Sequence, residues 1–180
     1  MNCIWIATVL ALQLAAAQAC TFPNETETKM HWWDCGDGSF KITDVTSLDP
    51  EFSYQYPILL HDKTYVIIQA ENNVREITEN DKNVKLNIVS WQYSGWSSCS
   101  WTTIPTFGLL DNLDACGDGG LMCPVATGQQ QMQIMLDFSK YASIIKLLKN
   151  DAPYQLKLVI TDTLSNKDLC LYIQARAKTS

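Results

Sequence analysis

Six cysteines, at positions 20, 35, 99, 116, 123 and 170, constrain this chain more than any other feature. They follow an apolar leader and are even in number. That is the pattern of a domain stapled by three disulfides in an oxidising compartment. Sequence alone allows about fifteen pairings of six cysteines. A seventh, Cys3, lies inside the leader.

The leader reads as a secretory signal over residues 1–19. Ile4 to Leu14 is its apolar core, and Ala17-Gln18-Ala19 is a small-x-small cleavage site. The run is too short to be read as a membrane span. Residues 20–180 are then one domain, long enough for a full core. No later apolar run is long enough to cross a bilayer. The formal charge of -6 argues against nucleic acid as a partner, because no Lys/Arg cluster offsets it. The same lack of basic clusters removes the means of staying on an anionic membrane. Asn24-Glu25-Thr26 is a glycosylation sequon, which fits export.

The hydrophobic pattern is that of strands. Phe40 to Leu48, Tyr54 to Leu60 and Thr64 to Ala70 are β-branched and aromatic runs, the first ended by Asp49-Pro50. Val84, Leu86 and Ile88 alternate with Lys85 and Asn87. Met132, Ile134, Leu136 and Phe138 share one face, as do Tyr154, Leu156, Leu158 and Ile160, and then Leu169, Leu171 and Ile173. Glu71 to Lys82 reads as a loop with strand character near Val74 to Ile77. One helical stretch stands out near 140–149, where Tyr141, Ile144, Ile145 and Leu148 follow i, i+3, i+4, i+7. Ser139 is its expected N-cap and Pro153 its stop. Short strands, frequent turns and little helix predict an all-β two-sheet sandwich.

One stretch is apolar without being periodic. Tyr93 to Leu113 carries Trp96, Trp101, Ile104, Phe107, Leu109 and Leu110, broken by Gly95, Pro105 and Gly108. Loops seldom hold so many apolar groups unless they meet something. With Leu121, Met122 and Val125 beyond it, this cluster is the candidate rim of a binding cavity. Phe138 and Tyr154 are candidates for its wall. The inward strand faces line a cavity if the sheets stand apart and fill a core if they do not, and the pattern alone does not choose.

Catalytic signatures are missing. The two histidines are His31 and His61, and His61 with Asp62 reads as a solvated turn. Gly95-Trp96-Ser97-Ser98 lacks the second glycine of a nucleophile elbow. Cys116 and Cys123 are too far apart for a redox C-x-x-C pair. Asp111, Asp114 and Asp118 miss the spacing of a calcium loop. The expectation is a protein that is not an enzyme and needs no cofactor or metal.

Several motifs, in order, resemble those of the ML (lipid-recognition) domain family. They are Asp34-Cys35 ahead of a first strand, the Cys116 to Pro124 loop ending in Cys-Pro with Gly128 after it, Pro153-Tyr154-x-Leu156-Lys157, and a last strand opening at Leu169-Cys170. The resemblance covers nearly all of residues 20–180. It implies an immunoglobulin-like β-sandwich whose sheets hold a lipid, in the extracellular space or the lysosome. It further implies that Cys35 pairs with Cys170 and Cys116 with Cys123, with Cys20 and Cys99 the remaining couple. A rearranged Cys99–Cys123 pairing stays open, since the family's third cystine lies at positions this chain lacks. In the loop-entropy picture the long bridge contributes roughly 5 kcal/mol and the short one roughly half that.

The implied partner is a sterol, glycolipid or phospholipid, taken up by transient contact with a membrane. A sixteen-carbon tail moved from water into an apolar cavity gains roughly 12 kcal/mol gross. No special polar chemistry is needed for that. The competing expectation is a secreted sandwich with a filled core that binds a protein partner or presents a lipid for recognition.

Overall fold

The computed structural model describes residues 20–95 and 98–180. The expected signal segment and Trp96 lie outside them. Ten strands follow in order: β1 (His31–Asp34), β2 (Phe40–Leu48), β3 (Ile58–Leu59), β4 (Lys63–Asn72), β5 (Val84–Ser94), β6 (Ser100–Thr103), β7 (Leu113–Asp114), β8 (Gly128–Asp137), β9 (Ala152–Asp162) and β10 (Lys167–Lys178). One helical turn, α1 (Ala142–Ile145), lies between β8 and β9.

The strands form two sheets. The larger runs β1-β10-β9-β5-β6, with β3 added to β10 and β7 to β5. The smaller runs β2-β4-β8. This is the expected all-β sandwich. Alternation decides which face turns inward: Val84, Leu86 and Ile88 of β5 are buried, as are Leu158 and Ile160 of β9. In β2 a register shift between Ile42 and Asp44 restores the phase, so Phe40, Ile42, Val45 and Ser47 all face in.

The segment from Tyr54 to Leu60 is less regular than its composition predicts. It gives only β3 and an isolated bridge from Tyr54 to Leu48. Near Val74 to Ile77 the strand character reduces to one bridge, Ile77 to Val125. The helix also differs from expectation. A 3-10 turn over Phe138–Tyr141 precedes α1, and its cap is Asp137, whose carboxylate accepts from Ser139 N at 3.2 Å and Ser139 Oγ at 2.6 Å. An acidic cap outcompetes the serine because it accepts both protons at once. The helical path ends through tight turns at Leu147 and Leu148, ahead of Pro153, which sits inside β9.

The three disulfides are Cys20–Cys99, Cys35–Cys170 and Cys116–Cys123. The Cys116–Cys123 loop is laced along β8: Met135 N donates to Gly120 O and Met122 N to Gln133 O, both at 2.8 Å. Gly120 has φ +77, and a Cβ there would stand 2.2 Å from Met135 O. Only glycine fits that approach.

The apolar interior is divided. One cluster holds Ile68, Leu86, Met132, Ile134, Leu158, Ile160, Leu169 and Leu171. A second gathers Ile58, Leu60, Ile145, Ala152, Tyr154, Ala175 and Ala177. The first fills the end of the sandwich that carries the β9–β10 turn. The second lies toward the opposite end.

Candidate functional site

Between these clusters lies a cavity of about 160 Å³. Its position follows from the size of the inward side chains along each strand. In the larger sheet, the rows Leu86–Ile160–Leu169 and Ile88–Leu158–Leu171 are all large. The next rows are Ser90–Leu156–Ile173 and Gln92–Tyr154–Ala175, and then Ala177. In the smaller sheet, Val45–Ile68–Met132 gives way to Ser47–Val66–Ile134 and Thr64–Leu136. One serine, threonine or alanine thus enters each row at this end, beside Leu156, Ile173, Ile134 and Leu136. Facing sheets typically pack about 10 Å apart. Small groups on both walls therefore leave space between them.

The far wall is the segment after β8. Phe138, Tyr141, Ile144, Ile145 and Leu148 all face the cavity. The apolar stripe read from the sequence is this surface. Across the mouth stands the 104–120 connection, which contributes Ile104, Thr106, Leu110, Leu113 and the stretch Gly117 to Gly120, Asp118 included.

The buried polar groups near the cavity are mostly tied off. Ser47 Oγ donates to Gln55 O at 2.7 Å, and Thr64 Oγ1 donates to Gln55 Oε1 at 3.0 Å. The Tyr154 ring lines the cavity, while its hydroxyl donates outward to Lys149 O at 2.5 Å, beside Gln92 Oε1. Burial pushes that phenol up to about 12. At the rim, Tyr141 is also pushed up, first by burial and then by the nearby Asp118 and Asp137 carboxylates.

The sequence candidates divide sharply. Leu110, Phe138 and Tyr154 line the cavity. Phe107 and Leu109 do not. They are 81% and 51% exposed, on the turn beside Leu110. Trp101 lies on β6 with its ring 5.0 Å from that of Tyr93. Leu121 and Val125 are fully buried in the first cluster, because the cystine loop is bound to β8 and Ile77. Met122 is 55% exposed on that loop. Asn24 stands exposed at the tip of the Pro23–Glu25 turn, and its side-chain amide donates to Gln174 Oε1 at 2.6 Å. Sequence reasoning missed Ser90, Ala175 and Ala177. Their signal was present, as small residues at inward positions of otherwise large-residue strands.

Of the three aspartates weighed as a calcium loop, Asp114 is ion-paired with Lys82 at 2.5 Å. Among the described residues no three His, Cys, Asp or Glu side chains stand close enough to share a metal ion.

The opposite end is held by charge. Arg75, on the loop leaving β4, makes a bidentate contact with Asp162 of β9 (Nη2 to Oδ1 2.6 Å, Nε to Oδ2 2.9 Å) and a 2.6 Å contact with Asp81. It joins the two sheets. The guanidinium holds the Asp162 carboxyl down at about 2, against the opposing cost of burial.

Among solved structures, the chain is similar to a Niemann-Pick type C2 protein from the Japanese carpenter ant, with TM-score 0.47 and 14% identity over 82% of this chain and 99% of that one. It is also similar to the C-terminal domain of wzt, with TM-score 0.44 and 13% identity over 84% and 80%. Such likenesses are too loose to carry a functional argument. No family model matches the sequence, and no curated protein matches it.

Proposed function

We propose that this chain is a lipid-binding and lipid-transfer protein of the ML type, which shields the apolar part of a sterol, glycolipid or phospholipid between its sheets. The cavity carries this reading. Its walls are mostly leucine, isoleucine, phenylalanine, tyrosine and alanine side chains, and the Ser47 and Thr64 hydroxyls are bonded to Gln55. An apolar space of this kind gains roughly 0.8 kcal/mol for each methylene it removes from water. A cavity of about 160 Å³ matches those that seat a benzene-sized guest. A whole tail therefore needs the Phe138–Leu148 segment to swing aside, as short covering segments do around ligands.

Phe107 and Leu109 would enter the membrane surface during transfer, a role their exposure supports. They are exposed next to Leu110, which lines the mouth. Three disulfides fit an oxidising compartment, extracellular or lysosomal.

The test is native mass spectrometry of the secreted protein, then solvent extraction and lipid identification. Near-stoichiometric lipid supports the reading. A protein that emerges empty and takes up no fluorescent fatty or sterol probe returns the chain to the protein-interaction alternative.

A further inference from the structure

Ser90 differs from the other buried hydroxyls around the cavity. Ser47 and Thr64 have already committed their protons to Gln55. Ser90 lies on the inward face of β5, in register with Leu156 and, through it, with Ile173. Its backbone carbonyl is engaged, accepting from Ile104 N at 2.9 Å. Its side chain lines the cavity, the residue is 8% exposed, and its hydroxyl bonds to no other described group while remaining open to the cavity space. Ile88, Leu156 and Ile173 surround it on its own sheet and offer none.

A hydroxyl that opens onto an apolar cavity is free to bond to a guest, and is left unpaired at a cost when a plain hydrocarbon covers it. Alanine at this position would have left the same space without that cost. The mouth adds a second constraint. Asp118, Asp137 and Lys140 all line it, two carboxylates against one ammonium. That balance, on a chain of net charge -6, disfavours a ligand with an anionic head.

We propose that Ser90 is the hydrogen-bonding anchor for an oxygen carried within the apolar part of a neutral lipid, such as a chain hydroxyl or keto group. The cavity would then select an oxygenated chain over a plain one. The inference rests on the lipid-binding reading and names the ligand class within it. Discrimination of this type arises because a site built to bond an oxygen leaves its own polar group unpaired when the oxygen is missing.

The experiment is competitive displacement of the dye N-phenylnaphthylamine. The competitors are eighteen-carbon methyl esters bearing one hydroxyl at successive positions, and the unsubstituted ester. In the wild-type protein at least one positional isomer should bind roughly fivefold more tightly than the plain ester, the worth of one net hydrogen bond. Ser90→Ala should remove that preference, both by weakening the hydroxylated ester and by tightening the plain one, whose unpaired hydroxyl partner on the protein is gone. Ser90→Thr should keep the preference. Equal displacement by every ester in the wild type overturns the assignment, as does a preference that survives Ser90→Ala. Failure of the dye and all esters to bind overturns the lipid reading and this inference with it. Uptake without discrimination overturns this inference alone.

Discussion

The two ends of this sandwich use the same strands and differ in what those strands point inward. At one end Leu86, Leu158, Ile160, Leu169 and Leu171 meet Ile68 and Met132, and all are essentially inaccessible to solvent. At the other the same strands present Ser90, Ala175, Ala177, Thr64 and Ser47 around a cavity. The packed end is also clamped by Arg75 between Asp81 and Asp162. A sheet therefore need not be uniform in purpose. Stability is concentrated at one end, which lets the other stay hollow. A sandwich built only of large inward residues would be more stable and would have no room for a guest.

This contrast can be broken most forcefully at the clamp. Arg75→Ala leaves two carboxylates buried without their cation, so unfolding in denaturant should show a loss of about 3–5 kcal/mol. The pH dependence follows from Asp162. Its folded carboxyl titrates at about 2, below the roughly 3.9 of an unfolded chain. Its contribution is therefore complete above pH ~4 and declines as pH falls toward ~2. Arg75→Ala should flatten that part of the stability curve; an unchanged acid limb would mean the clamp is not what holds this end.

A smaller effect compares two leucines on one strand. Leu158→Ala should cost about 3 kcal/mol, because it opens a new void in packed surroundings. Leu156→Ala, on the cavity wall, should cost about 1 kcal/mol, because the space beside it is already open. Equal losses in chemical denaturation would show that both ends are packed alike. Filling the cavity should act on binding and spare stability. Ala175→Leu should leave the melting temperature within a few degrees and reduce uptake of a fluorescent fatty probe by about tenfold, since one side chain removes much of the space. The mildest change is Phe107→Asp. Stability should stay within about 0.5 kcal/mol, while transfer from vesicles slows severalfold; unaltered transfer would remove Phe107 from the membrane-contact role.

The strand faces were legible because a period of two survives any tertiary detail. Ile134 and Leu136 read alike in the sequence, two large apolar residues on one face of β8, yet Ile134 packs into the core and Leu136 lines the cavity. What separates them is the size of the residues opposite, and those come from strands distant in sequence. The rim was harder still. Leu121 and Val125 look like their neighbour Met122, but backbone bonds to β8 and Ile77 draw them into the core and leave Met122 outside. Propensity carries no record of such lacing. Asp137 was hidden as a cap because it ends a strand as well as starting a turn.

The Arg75 clamp also has a mechanical side. It grips the last residue of β9, a strand of 11 residues, at the end away from the cavity. β9 is paired along its length with β5 and β10, so the larger sheet moves with it as one plate, and a tilt of about 5° at the grip would move the far lip, roughly 35 Å away, by about 3 Å. On the proposed lipid-binding reading the molecule would work like a clothes peg, in which a stiff spring lets thin jaws yield to guests of different girth.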